Sequence, residues 1–150
     1  MIKPERAAIP FDQKIADGFI GPADGKGGFI EWMGFELVEA GPGSMHGRMV
    51  IRDDFMTPIG NMHGGVLSAF CDHMLGTVCY SAMKPGQWAA TAEFKINLTA
   101  PVVGGVVDAY AEIVNLSRTM AVVRIDLHNN DRVCAVVQGT VMIRDPKPKA

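Results

Sequence analysis

An excess of charge of one sign is the first thing this chain lacks. Fourteen Lys and Arg stand against sixteen Asp and Glu, a formal charge of −2 with a pI near 6.0. Without a basic excess there is little to displace counterions from a phosphate backbone, which argues against general nucleic-acid binding. Long apolar runs are also missing. The longest stretch without a charged residue, Phe55 to Cys71, carries Pro58, Asn61, His63 and three glycines, and does not read as a membrane span. The start, Met1-Ile2-Lys3-Pro4-Glu5-Arg6, lacks the apolar core of a signal peptide. Cysteine is scarce: Cys71, Cys79 and Cys134 cannot all pair, and none sits in a CxxC spacing. There is no Gly-x-Ser-x-Gly elbow and no cysteine with an evident partner base, which argues against a serine or cysteine acyl-enzyme. These features together point to a reducing, cytoplasmic setting.

What is there reads as one domain. The chain has 150 residues, 48% of them apolar, enough for a core without staples. Residues 1–28 read as an arm, with a short helix across Phe11 to Phe19 and a Gly- and Pro-rich break from Gly21 to Gly28. The main domain spans 29–145, and 146–150 form a tail. Phe29, Glu31, Met33, Phe35 and Leu37 mark one face of a first strand, and Met45, Gly47, Met49 and Ile51 one face of a second. Gly41-Pro42-Gly43 turns between them. His46 and its neighbouring arginines read as a solvated strand face. His63 to Met83 reads as a long helix with a bulky stripe, Leu67, Phe70, Met74 and Val78. A small-residue stripe, Gly65, Ser68, Asp72, Gly76 and Cys79, runs beside it. Four alternating strands follow. In the first, Ala92, Phe94, Ile96 and Leu98 oppose Thr91, Glu93, Lys95 and Asn97; in the last, Val133 shares a face with Ala135 and Val137. One helix against a six-stranded antiparallel sheet is an α+β arrangement, and it leaves sheet area that a second copy would cover.

The chemistry-bearing candidates lie on the helix. His63-Gly64-Gly65 opens it, and the first backbone N–H groups of a helix have no internal acceptor and sit at its positive end. Glycines there let a substrate oxygen approach, or merely shape the junction. Asp72 is the lone acidic residue between Phe55 and Glu93, two turns beyond Gly65. It is either a working carboxylate or one placed where the helix meets solvent. His73 points about 100° away from it, which argues against a shared site or a His63–Asp72–His73 metal centre.

The run Asn61-Met62-His63-Gly64-Gly65-Val66-Leu67-Ser68-Ala69-Phe70-Cys71-Asp72 resembles the signature of hotdog-fold acyl-CoA thioesterases of the phenylacetate-pathway (PaaI-like) type. The likeness extends over about residues 30–145. It implies a hotdog fold, a five- or six-stranded antiparallel sheet wrapped around the central helix. It also implies a homodimer with active sites at the subunit interface, often doubled to a homotetramer, acting on an acyl-CoA with no cofactor beyond the CoA of the substrate. Under the resemblance the Gly64 N–H polarises the thioester carbonyl, with Gly65 and Asn61 beside it. His63 positions substrate or water. Asp72 of the facing subunit acts as base or nucleophile, Thr91 holds the water, and Arg118 and Thr119 contact CoA. Relatives carry Asn or Gln six residues before the His, where this chain has Thr57. A non-catalytic acyl-CoA binder and an enoyl-CoA hydratase on the same fold are the alternatives.

Overall fold

The computed structural model describes residues 8–23, 25 and 27–146; the expectations for Met1–Arg6 and for most of the tail lie outside the described residues. The elements run α1 (Gln13–Asp17), β1 (Gly21–Pro22), α2 (Gly28–Met33), β2 (Phe35–Gly41), β3 (Ser44–Val50), α3 (Gly64–Tyr80), β4 (Trp88–Leu98), β5 (Val106–Leu116), β6 (Met120–Asn129) and β7 (Arg132–Arg144). A short 3-10 turn, Asp53–Phe55, lies between β3 and α3. All pairings are antiparallel, in the order β1-β2-β3-β5-β6-β7-β4. The sheet has seven strands rather than five or six, because the two-residue β1 joins its edge. This is a hotdog fold, with α3 as the filling.

α3 is 17 residues long, about 26 Å. Its bulky stripe, Leu67, Phe70, Met74 and Val78, is buried against the concave face of the sheet. Small sheet residues let it sit close. A Cβ on Gly139 would lie 3.1 Å from Leu75, and one on Gly47 would collide with the end of Met74. Cys79, placed on the small-residue stripe by its spacing, turns into the core and donates its thiol to the Leu75 carbonyl. Burial pushes the Cys71 and Cys79 thiols up to about 12, so neither forms a thiolate at neutral pH.

Three expectations are corrected. Residues 28–33 are helical, not the start of a strand: Ile30 packs against the core and Met33 is buried, three residues apart as on a helix face. Gly34 closes that helix in the left-handed conformation (φ 69°), and extended structure begins only at Phe35. Secondly, Gly21 and Pro22 sit in the expected break, yet Gly21 pairs with Leu37. Thirdly, two bulges invert strand faces. In β4, Thr91 opposes Val141 while Glu93 opposes Thr140, leaving Ala92 as an extra residue. Thr91 therefore shares the α3-facing side with Phe94, Ile96 and Leu98 instead of opposing them. In β7 the pairing jumps from Val133 to Ala135, and Val133 emerges 39% exposed.

The arm packs on the body. Asp12 caps α1 by accepting the Ile15 N–H at 3.2 Å, and its own N–H donates to the Ser81 carbonyl just beyond α3. Ala16 and Ala23 are buried. The helix within the arm is shorter than Phe11 to Phe19. On the convex face His46 is held by Asp108 at 2.7 Å and stacks on Tyr110, so this half-buried residue is tied in rather than simply solvated. Among the described residues no helix is long and apolar enough to cross a membrane.

Candidate active site

His63 stands at the head of α3 with an extended backbone (φ −67°, ψ 130°), and its ring folds back so that Nδ1 accepts the Gly65 N–H at 2.9 Å. An accepting Nδ1 leaves the neutral ring's proton on Nε2. The Val66 N–H is taken by the His63 carbonyl. Of these first-turn donors, only the Gly64 N–H has no acceptor among the described residues. It lies at the positive end of a four-turn helix. Gly64 lines a cleft of about 290 Å³ with Asn61, Leu67, Leu98 and Val102. A Cβ there would meet Leu98 Cδ1 at 2.7 Å, the movable end of an exposed side chain, so glycine leaves the N–H open without that end having to shift.

Asn61 reaches this cleft from a tight loop. Met56 and Met62 pair across the loop, Thr57 N–H donates to the Asn61 carbonyl at 2.7 Å, and Gly60 turns with φ 83°. The Thr57 hydroxyl is shared between the Asn61 carbonyl (2.8 Å) and the side-chain Oδ1 (2.9 Å). The amide nitrogen makes only a long contact, 3.4 Å, to the Met62 carbonyl. Thr57 thus occupies the oxygen of the Asn61 amide and leaves its N–H groups as the available donors.

Asp72 lies two turns along, about 10 Å from Gly65 down the helix axis. It is exposed in the single chain. It opens into a different cleft, of about 580 Å³, with His73, Gly76 and Tyr80 from α3 and Thr91 from β4. The Ala92 bulge brings Thr91 there. His73 faces away from Asp72 and stacks on Phe35, ring centroids 5.2 Å apart.

Arg118 and Thr119 form the exposed β5–β6 turn, closed by Ser117 N–H to the Met120 carbonyl. The Thr119 carbonyl accepts from Ile143, whose register partner Ala89 lines the Asp72 cleft. The turn therefore belongs to the Asp72 end of the sheet, away from Gly64. Arg118 itself lines a separate groove with Ile9, Pro42 and Ser44. The structure thus groups Asn61, His63, Gly64 and Gly65 at one end of α3, Asp72 and Thr91 at its middle, and Arg118 and Thr119 apart from both. Phe19 and Ile30 stand on the wall of the Asp72 cleft, a placement the sequence did not show because both lie more than forty residues before Asp72.

The family model described as thioesterase superfamily matches residues 59–136, just over half of the chain, with both half-sites inside the match. The chain belongs to the thioesterase superfamily. It is accordingly a thioester hydrolase. No curated protein matches it. The chain resembles a thioesterase of Haemophilus influenzae at 25% identity and TM-score 0.73, over 77% of this chain and 82% of that one. A conserved protein of Pseudomonas aeruginosa is 29% identical over 76% of this chain and 91% of its own, with TM-score 0.73. A mutant of the phenylacetic acid degradation protein PaaI from Thermus thermophilus is 27% identical, with TM-score 0.69 and coverage of 76% and 96%. The PaaI-type thioesterases thus share this chain's fold.

Proposed function

We propose that this thioesterase hydrolyses an acyl-CoA to the free acid and CoA at a site assembled from two copies of the chain. The observation that carries the proposal is the spacing on α3. The free Gly64 N–H and the Asp72 carboxylate lie eight residues apart on α3, about 12 Å along its axis, and open into separate clefts. One copy cannot bring them onto one carbonyl. Two antiparallel α3 helices related by a two-fold axis place Gly64 of each opposite Asp72 of the other, giving two equivalent sites. The long edge strand β4, eleven residues with one edge unpaired among the described residues, supports the same pairing.

In this reading the thioester carbonyl oxygen accepts from the Gly64 N–H, aided by the helix dipole and by the Asn61 amide. Asp72 of the facing copy takes a proton from a water that the Thr91 hydroxyl holds. The water oxygen attacks the carbonyl carbon. Collapse of the tetrahedral intermediate breaks the C–S bond, and the thiolate leaves as CoA. Direct attack by the Asp72 carboxylate, through an anhydride that water then opens, gives the same products. His63 fixes the head of α3 through Gly65. The resemblance alone assigns Arg118 and Thr119 to the CoA portion; in one copy they line neither cleft. No metal or further cofactor is invoked.

The test is thiol release from a panel of acyl-CoAs by the wild type, by Asp72→Asn and by Gly64→Val, with the two variants also mixed. Each variant alone should be inactive, and mixed dimers should regain activity because each contains one site with neither change. Full activity of Asp72→Asn on the best substrate sinks the mechanism. No recovery on mixing, after subunit exchange is verified, sinks the two-copy site.

A further inference from the structure

The Asp72 cleft has an extension. A chamber of about 200 Å³ lies behind it, with Phe19, Ile30 and His73 lining both spaces. Its remaining walls are Ala23 and two arm glycines on one side and Phe35 and Leu37 of β2 on the other. Apart from the His73 imidazole, every side chain around it is apolar. His73 follows Asp72 directly, so the chamber sits one step around α3 from the carboxylate. Gly18, Phe19, Gly21, Ala23 and Ile30, which line it, lie outside the matched segment 59–136.

We propose that this arm-built chamber is the acyl pocket and that it selects a compact acyl group, ring-sized or short and branched, over a long linear chain. The inference rests on the acyl-CoA reading above and names the substrate class for the same site. Position supports it: a thioester whose carbonyl lies beside Asp72 places its acyl carbons toward His73 and the chamber. Size supports it too, since a dry apolar cavity of about 150 Å³ holds a benzene ring, and this one is modestly larger. Ordered contacts fix its walls. Phe19 rests on Tyr80 at 5.3 Å, and Phe35 lies between Phe70 and His73 at 4.9 and 5.2 Å. Ala23 is pinned through its N–H to the Phe35 carbonyl at 3.0 Å.

Two variants outside the catalytic groups test it, assayed with acetyl-, isovaleryl-, benzoyl- and palmitoyl-CoA. The wild type should turn over isovaleryl- or benzoyl-CoA at least tenfold more efficiently than palmitoyl-CoA. Ala23→Leu fills the chamber and should lower kcat/KM for the larger compact acyl groups about tenfold or more while leaving acetyl-CoA unchanged. Phe19→Ala opens a wall and should narrow the discrimination against palmitoyl-CoA; it carries the test alone if Ala23→Leu does not melt cooperatively. Equal wild-type turnover of palmitoyl- and benzoyl-CoA, or unchanged substrate ratios in the folded variants, overturns the acyl-pocket assignment while leaving the thioesterase reading intact. No turnover of any acyl-CoA by the wild type overturns the acyl-CoA reading itself, and this inference with it.

Discussion

The hydroxyl of Thr57 lies 2.9 Å from Oδ1 of Asn61 and holds that amide with its nitrogen available beside Gly64. Two residues at different spacings thereby present one donor at the head of α3. Removing the hydroxyl leaves Asn61 in place but free to turn. Thr57→Val is expected to lower kcat several-fold to tenfold with little change in KM, consistent with a hydrogen bond of about 1 kcal/mol. Thr57→Ser should restore most of the loss. Steady-state kinetics of the three proteins decide it, and equal kcat for all three would remove Thr57 from the site.

Asp72 is exposed in the single chain, so its substitution separates chemistry from the stability of the fold. Asp72→Asn should lower kcat by about 10² to 10⁴, the usual contribution of a general base. Its melting temperature should stay within a degree or two of the wild type's. A matching collapse in thermal stability would show that the side chain serves the fold instead.

Gly139 and Gly47 both seat α3, yet they should respond differently to alanine. A Cβ on Gly139 meets Phe94 Cβ at 2.7 Å and the Glu93 carbonyl at 2.8 Å, which are rigid parts of the β4 bulge. Gly139→Ala is expected to cost roughly 1–3 kcal/mol by denaturant unfolding. The Gly47 Cβ would meet only the flexible end of Met74, and Gly47→Ala should cost less. Gly139→Ala should also lower activity, because the displaced bulge carries Thr91.

On the convex face burial raises the Asp108 carboxyl, but hydrogen bonds from His46 and Arg48 outweigh it and hold the group below the usual aspartate range. A folded-state value below the unfolded one gives stability that is present above about pH 4 and lost as pH falls through the folded value. The stability difference between wild type and Asp108→Asn should therefore be constant near neutrality and shrink below about pH 4. Urea titrations at several pH values measure it; a difference that grows on acidification would contradict the assignment.

Most of the core was legible because periodicity reports it directly. Leu67, Phe70, Met74 and Val78 announced a buried helix face, and the alternation of β5 and β6 survived into the structure. Alternation misled where backbone geometry changed without a change in composition. Gly34 ends a helix that reads as a strand through Phe29, Glu31 and Met33, and Ala92 looks like any other strand residue. The head of α3 was readable from His63-Gly64-Gly65, since helix ends carry local signals. The Asp72 surroundings were not, because Phe19 and Ile30 reach it across more than forty residues of chain.

The extra residue in β4 has a wider consequence. Strand parity ordinarily binds every side chain to its neighbours: change the face of one and all follow. Ala92 resets that count, so the segment before it answers to the reaction and the segment after it to the core. Substitutions around Thr91 can then alter catalysis without repacking Phe94 or Ile96, and deleting Ala92 would straighten the strand with Thr91 and Phe94 still on one side, whereas pairing Ala92 into the ladder would force them onto opposite sides. A single unpaired alanine makes one strand two independently adjustable parts.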